Sequence, residues 1–491
     1  MILLGLDIGT SSIKASAVDA QTRQTLATVQ YPDKEVAIDA PEKGWAEQSP
    51  DQWWHHAAEA IKRLVNLGVF SGQDVVSIGI SYQMHGLVLV DAAGEVIRPA
   101  IIWCDSRAAS IGEEAFLAMG PTASLTTLLN SPGNFTAAKL AWVKKYQPDL
   151  YDRIHHIMLP GDFIGLRLTG QATTTPAALS EGIFWDFQKG QVSEMLMKHF
   201  GFSPDMIPPI QPVFSDHGRV LPHIAAELGI AAHIPVSYKA GDQPNNALSL
   251  NVLEPGEIAA TAGTSGVIYA VSDQIAFDPA SRINSFAHVN HHDQTRIGIL
   301  LCINGTGILN RWVRDQWASH ESYSVINQRA SAIPAGSDGV LVLPFGNGIE
   351  RVLENRLTGV QFSGLDLNRH TSDHIFRAVQ EGIACSFRYG FDIMKSQGVS
   401  PKVIRAGKAN LFLSDVFTSS LVNLTQTPVE LYDTDGSKGA ALAGGFGAGQ
   451  YATLPEAMSG LTHLRTIEPT GTLEDTYQAW VKVLKKALSE G

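Results

Sequence analysis

Three cysteines in 491 residues, Cys104, Cys302 and Cys385, are too few and too scattered for a disulfide framework or a thiolate zinc site. A reducing compartment suits such a chain, and the cytoplasm is its expected location. Long apolar runs are missing too. Nowhere do about eighteen apolar residues stand together, so no membrane-spanning helix is expected. The opening Met1-Ile-Leu-Leu-Gly-Leu-Asp7 has no basic leader and meets a carboxylate at its seventh residue, so it reads as a strand rather than a signal peptide. Basic clusters are absent as well. Lysine and arginine number 36 against 48 acidic residues, a net charge of −12, which argues against a nucleic-acid surface. Phosphate ligands stay open, because backbone amides and a metal ion hold phosphate without a basic patch. With 44% hydrophobic and 17% charged residues the composition is that of an ordinary globular protein, and the length allows roughly two to four domains.

What the chain does have is one turn used twice. Asp7-Ile-Gly9-Thr10-Ser11-Ser12 is followed by the apolar run from Ile13 to Val18, and Gly263-Thr264-Ser265-Gly266, at an offset of 254 residues, is followed by Val267-Ile-Tyr-Ala-Val. Self-similarity at half the chain length implies two related domains, expected at 1–240 and 241–491, with a ligand held from two sides. Ile2 to Leu6, Ile13 to Val18 and Leu26 to Gln30 read as strands, and helix–strand alternation follows, an α+β or α/β layered pattern. Ser49-Pro50-Asp51-Gln52 reads as a helix start with Ser49 as cap and Gln52 completing a capping box. The segments Ser203 to Pro212 and Ile234 to Pro244 read as linkers. A long helix is expected over Asp373 to Ser396, a small-residue helix and turn over Ser437 to Gly449, and a docking helix at Leu473 to Leu488.

The chemistry gathers on two carboxylates. Asp7 stands two positions before Gly9, so a carboxylate, amides and hydroxyls face one small volume; magnesium is commonly held by one or two carboxylates together with substrate phosphates. A hairpin turn in which Asp7 caps local backbone is the plainer alternative. Asp242, in Gly241-Asp-Gln243-Pro-Asn, fits either an Asx-turn or a general base that accepts a hydroxyl proton during phosphoryl transfer. Met84 and His85 follow a strand, where a lone histidine is more often structural. Trp103, Asp105 and Arg107 suit either polyol binding or a local salt bridge. His288, His291 and His292 match no regular zinc spacing.

Taken together these segments resemble the FGGY carbohydrate kinases, and among them the xylulokinases. The resemblance runs through Gly5 to Lys14, Gln83-Met-His-Gly86, Arg98 to Arg107, Leu159-Pro-Gly-Asp162, Ala240-Gly-Asp-Gln243, Ala262-Gly-Thr-Ser-Gly266, Arg377 to Gly382 and Gly436 to Gly444, with Lys139 to Trp142 as a Lys-Leu-x-Trp signature. It implies two actin-like, ribonuclease H-like domains, the first on the sugar and magnesium side and the second on the nucleotide side. It implies ATP-dependent phosphorylation of the terminal hydroxyl of a ketopentose, D-xylulose to D-xylulose 5-phosphate, with Asp242 as base and Asp7 near Mg²⁺. Met84, His85, Trp103, Asp105 and Gln243 would then touch sugar. Gly9, Thr10, Ser11, Ser12, Gly263, Thr264, Ser265 and Gly266 would hold phosphates, and Gly407 and Asn410 would meet the nucleoside. Where the family shows three glycines this chain has Arg405-Ala-Gly407-Lys-Ala-Asn410, and Gly444 and Gly445 are also expected to border that pocket. Sugar and ATP are the expected partners, with neither nucleic acid nor membrane; a homodimer is left open. Gluconate, ribulose or another polyol as substrate, and an idle nucleotide-binding regulator of actin-like fold, are the rival readings.

Overall fold

The computed structural model describes residues 1–490, which fall into two compact units. The first comprises 1–251, 286–297 and 434–461, and the second 252–285, 298–433 and 462 onward. Among the described residues no helix is long and apolar enough to cross a membrane.

The first unit is built on strands β1 (Ile2–Ile8), β2 (Ile13–Asp19) and β3 (Thr25–Tyr31), helix α1 (Pro50–Asn66), strand β4 (Val75–Tyr82), helix α2 (Pro176–Glu181), strand β5 (Val236–Gly241) and helix α3 (Asp242–Ser249). Its sheet runs β5-β4-β1-β2-β3. The β1–β2 pair is antiparallel and closes at Ile8 against Ile13, while β4 and β5 run parallel to their neighbours. Leu3, Leu4, Leu6 and Ile8 are all fully buried, so β1 is covered on both faces, as a near-continuous apolar run implies. In α1, Trp53, Ala57, Ile61 and Leu64 recur at helical spacing and pack inward.

Three expectations change here. Ser49 makes no side-chain cap bond, so the capping box does not form; Pro50, with no N–H to satisfy, opens the helix instead. Ile234 to Pro244 is no linker, because Val236, Tyr238 and Ala240 are fully buried in β5 and Asp242 begins α3. Pro244 had read as loop punctuation, but it stands in the first turn of α3, where its missing N–H costs nothing. Ser203 to Pro212 lies inside the first unit rather than between domains.

The second unit contains β6 (Glu257–Ala262), β7 (Gly266–Ser272), the start of β8 (Asn284–Ala287), all but the first residue of β9 (Ile297–Ile303), helix α4 (Gly307–Trp317), the long α5 (Ser372–Ser396), β10 (Val403–Gly407) and β11 (Val429–Asp433). Helix α6 (Gly436–Gly447) then belongs to the first unit, before β12 (Thr462–Ile467) and α7 (Glu474–Glu490) complete the second. The second sheet runs β8-β9-β7-β6-β10-β11-β12. Its β11-β10-β6-β7 order repeats β5-β4-β1-β2, with the same antiparallel hairpin and the same parallel neighbours. The repeated Gly-Thr-Ser turn therefore marks a repeated hairpin. In α7, Trp480 is fully buried and its Nε1 donates to the Val342 carbonyl at 2.7 Å, so the last helix docks as expected.

Helix α6 lies across β1 and β4. A Cβ on Gly444 would stand 2.8 Å from the Gly79 nitrogen, which puts this glycine against β4 and not beside a nucleoside pocket. Gly445 likewise faces Leu3 and Tyr451, both in the first unit. Small residues at both positions serve close helix–sheet approach, a demand that sequence cannot tell apart from close approach to a ligand.

Candidate active site

Strand register brings the first site together. Asp7 on β1 is paired with Ser81 on β4, and Ser81 Oγ donates to Asp7 Oδ1 at 2.9 Å. Burial raises the proton affinity of Asp7; the Ser81 hydrogen bond opposes this, the charge of Asp435 adds to it, and Lys14 across the β1–β2 pair opposes it. Asp435 caps α6 by accepting from the Lys438 N–H at 3.0 Å. A Cβ on the next residue, Gly436, would fall 2.6 Å from Asp7 Oδ2, so glycine there keeps a cradle open beside the carboxylate. Asn245 of α3 donates from Nδ2 to the Gly436 carbonyl at 2.9 Å, and the Tyr238 hydroxyl donates to Asn245 Oδ1 at 3.2 Å.

Asp242 is the first residue of α3, directly after β5. Its carboxyl is pushed up to about 7, first by burial and then by the charge of Asp7, while the backbone N–H and side chain of Gln243 favour the charged form. A carboxyl with that proton affinity is partly ionised at neutral pH, and its ionised form is basic enough to take a proton, as a general base requires.

The neighbouring polar residues form two networks. Trp103, half exposed at 52%, donates from Nε1 to Thr10 Oγ1 at 3.0 Å, and Thr10 Oγ1 donates to Gln83 Oε1 at 3.0 Å. Gln48 Nε2 donates to the Thr10 carbonyl at 2.7 Å, fixing the Gly9–Ser12 turn from below. His85 adopts φ +62°, a left-handed conformation, and its carbonyl accepts from Lys139 Nζ at 2.8 Å. Lys139 is fully buried, and burial lowers its proton affinity to about 7 although Asp105 opposes the shift. The Lys-Leu-x-Trp signature thus acts by holding the His85 turn. The His85 ring packs 4.8 Å from Phe135 and 5.3 Å from Phe286, while Met84 is buried beside Gly241. Asp105 is placed differently. It is fully buried and accepts from the Ala46 N–H at 2.6 Å and from Arg107 Nη2 at 2.7 Å, so its oxygens are spent on scaffold. At Asp105, of the two readings, the local salt bridge is the one formed.

The second unit carries a cavity of about 340 Å³ bordered by Gly263, Thr264, Gly307, Arg311, Asn327 and Asn410. The Gly263–Gly266 turn is backed by α4, whose Gly307 and Ile308 N–H groups donate to the Gly263 and Thr264 carbonyls at 2.9 and 3.0 Å. A Cβ on Gly307 would lie 2.2 Å from the Gly263 oxygen, which requires glycine. Gly407 ends β10 with open space around it, and Asn410 takes φ +54°.

Sequence reasoning missed Ser81, Glu181, Asn245, Glu350 and Asp435. An aspartate, then Gly-Ser-Lys, before an alanine-rich run is a helix-start signal and would have found Asp435; nothing local marks the others. Glu350 is fully buried and accepts from the Asn304 and Gly305 N–H groups at 3.0 and 2.9 Å, bracing the turn that leads into α4. Burial pushes its carboxyl up to about 7 against these two donors. Replacing Glu350 by leucine should therefore strand two buried donors, lower stability by about 2–4 kcal/mol and raise the KM for ATP more than that for sugar. Thermal unfolding and initial rates check this, and an unchanged Tm would contradict it.

The model of the FGGY carbohydrate kinase N-terminal domain matches residues 2–249, and that of the C-terminal domain matches 258–448. The chain belongs to the FGGY family of carbohydrate kinases. A xylulose kinase of Escherichia coli is 28% identical to this kinase over 459 residues, covering 92% of this chain and 90% of its own. A xylulose kinase of Bacillus subtilis is 26% identical over 461 residues with the same coverage, 92% and 90%. The crystal structure of xylulose kinase from Rhodospirillum rubrum matches with a TM-score of 0.89 at 25% identity, over 99% of both chains. Both units of this ATP-dependent enzyme thus have the actin-like fold.

Proposed function

We propose that this kinase transfers the terminal phosphoryl group of ATP to the terminal hydroxyl of D-xylulose, giving D-xylulose 5-phosphate, in the cytoplasm. The observation that carries the reading is Asp242, a carboxylate with a proton affinity near neutrality at the start of a helix beside Asp7. Relatives named xylulose kinase, similar over nine-tenths of the chain, point to the sugar. Residues 1–240 supply the sugar and magnesium side, and 241–491 the nucleotide side, although Asp242 packs with the first unit.

Asp242 holds the attacking hydroxyl in line and accepts its proton. Met84, His85, Trp103 and Gln243 line the sugar, whereas Asp105 acts through Arg107 by shaping the segment that presents Trp103. Asp7 would hold Mg²⁺: the Gly436 cradle leaves room beside Oδ2, and three carboxylates supply negative charge that Lys14 and Ser81 only partly offset. Among the described residues no three His, Cys, Asp or Glu side chains converge to hold a metal alone, which suits a cation that completes its shell with water and phosphate oxygens. When bound, Mg²⁺ supplies charge neutralisation at the phosphates. The Gly9–Ser12 turn of the first unit and the Gly263–Gly266 turn of the second each offer amides and hydroxyls suited to phosphate. Gly407 and Asn410 border the nucleoside.

Release of ADP measured over D-xylulose, D-ribulose, L-xylulose, gluconate and glycerol tests the reading. D-xylulose should give the highest kcat/KM, and a higher value for gluconate or ribulose would reassign the substrate.

A further inference from the structure

Glu181, the last residue of α2, is buried at 2% exposure. Little at that position favours a carboxylate, the Tyr82 hydroxyl excepted. The C-terminal end of a helix disfavours negative charge, no lysine or arginine pairs with it among the described residues, and its Oε1 lacks a hydrogen-bond partner. Burial and the charge of Asp242 raise its proton affinity well above the ordinary carboxylate range, although the nearby Tyr82 hydroxyl favours the charged form. An isolated buried acid costs stability, and such residues persist where function requires them.

Its surroundings indicate what the requirement is. A Cβ on Gly241 would stand 2.5 Å from Glu181 Oε2 and 2.5 Å from Met84 Cγ, so the carboxyl lies against the main chain directly before Asp242. The Glu181 carbonyl is 2.9 Å from His85 Nδ1. The end of α2 is tied to the 134–137 segment by the Ala137 N–H, which donates to the Gly182 carbonyl at 3.1 Å. On that segment Asn134 Oδ1 and Thr136 Oγ1 are likewise buried without a partner. Buried polar atoms are normally satisfied, and several here, on two segments that both touch His85, are not. A polyol brings hydroxyls that donate and accept.

Resting on the reading of this unit as the sugar-binding one, we propose that Glu181 is a specificity-determining residue whose carboxyl hydrogen-bonds an oxygen of a neutral ketose or polyol, next to the hydroxyl that Asp242 deprotonates. A site built to pair with a substrate hydroxyl discriminates strongly against an analogue lacking it.

The test compares wild type, Glu181→Gln and Glu181→Leu on D-xylulose and on its 1-, 3- and 4-deoxy analogues, with Tm recorded for each. E181L should raise the KM for D-xylulose by about 10- to 100-fold and leave that for ATP within about twofold. E181Q keeps a donor and an acceptor, so its sugar KM should stay within about fivefold while its Tm rises as the buried acid is removed. One deoxy analogue should lose on wild type what E181L loses on D-xylulose, with no further loss when the two are combined. An unchanged sugar KM in E181L, equal rises in both KM values, or fully additive losses for every analogue overturns the proposal. Should E181L not fold, Glu181→Met, which keeps an unbranched chain, carries the same comparison. Failure of wild type on every neutral ketose and polyol would overturn the sugar-kinase reading itself, whereas the preceding outcomes reject only the role of Glu181.

Discussion

Asp242→Asn should lower kcat by about three to four orders of magnitude, because the amide keeps the shape of the side chain but cannot accept the hydroxyl proton. ATP binding should stay within about twofold, since the Gly263–Gly266 turn and its cavity belong to the other unit. Isothermal titration with ATP together with single-turnover rates would separate these effects; retained turnover would remove Asp242 from the role of base.

The pH dependence of the same residue has a definite sign. A base must be ionised to act, so kcat/KM should fall as pH drops through about 7, the value to which burial and Asp7 push this carboxyl. The asparagine variant should lack that limb. Stability runs the other way. The unfolded carboxyl titrates near about 4, so between roughly pH 4 and 7 the folded protein binds more protons than the unfolded one and loses stability as pH rises through that window. At pH 8 the buried charge beside Asp7 is fully developed, and removing it should raise Tm. A variant that is inactive because it is misfolded would show a lower Tm instead.

Asp242 and Asp7 were visible in the sequence because each stands within two residues of a glycine in a short motif, and Gly-Thr-Ser turns spaced by half the chain revealed the duplicated hairpins. The helix that begins at Asp242 was not visible, since Gly241, Pro244, Asn245 and Asn246 carry the composition of a loop and only the buried β5 before them makes a helix there. Asp105 shows another limit. Its spacing to Arg107 allowed either sugar contact or a salt bridge, and the choice depends on the Ala46 N–H, brought in from a segment 59 residues away. Ser81, Asn245 and Glu350 reach their partners through strand register and helix packing, long-range contacts that no local pattern encodes. Glu181 is harder still, because nothing in Ala-Ala-Leu-Ser-Glu marks it for burial, which is set by β5 and the His85 turn.

Gly79→Ala carries the largest expected stability loss. Glycine is needed in mid-strand β4 because α6 lies flat on it: a Cβ there would fall 1.9 Å from the Ala440 carbonyl oxygen and 2.7 Å from its carbon. Gly5 on β1 meets the same helix, with a Cβ 1.9 Å from the Ser437 oxygen. The obstacles are backbone atoms that no rotamer change clears, so the helix would have to lift away from the sheet. That strains the Ser16–Ser437 hydroxyl pair at 2.7 Å and the Ser237 hydrogen bond to the Gly444 carbonyl at 2.7 Å. The expected cost is about 3 kcal/mol or more, seen as a fall in Tm of roughly 6–12 °C. Because α6 begins beside Asp7, lifting it also moves Gly436 and loosens the Asn245 bond to the Gly436 carbonyl, so kcat should drop about 10²-fold even where the protein is folded. Gly471→Ala, with nothing within 4 Å of the added carbon, is the control and should change stability by less than about 0.5 kcal/mol. Equal Tm values for Gly79→Ala and wild type would show that α6 does not need glycine to reach the sheet, and the small-residue character of the Gly436–Gly447 helix would then require another cause.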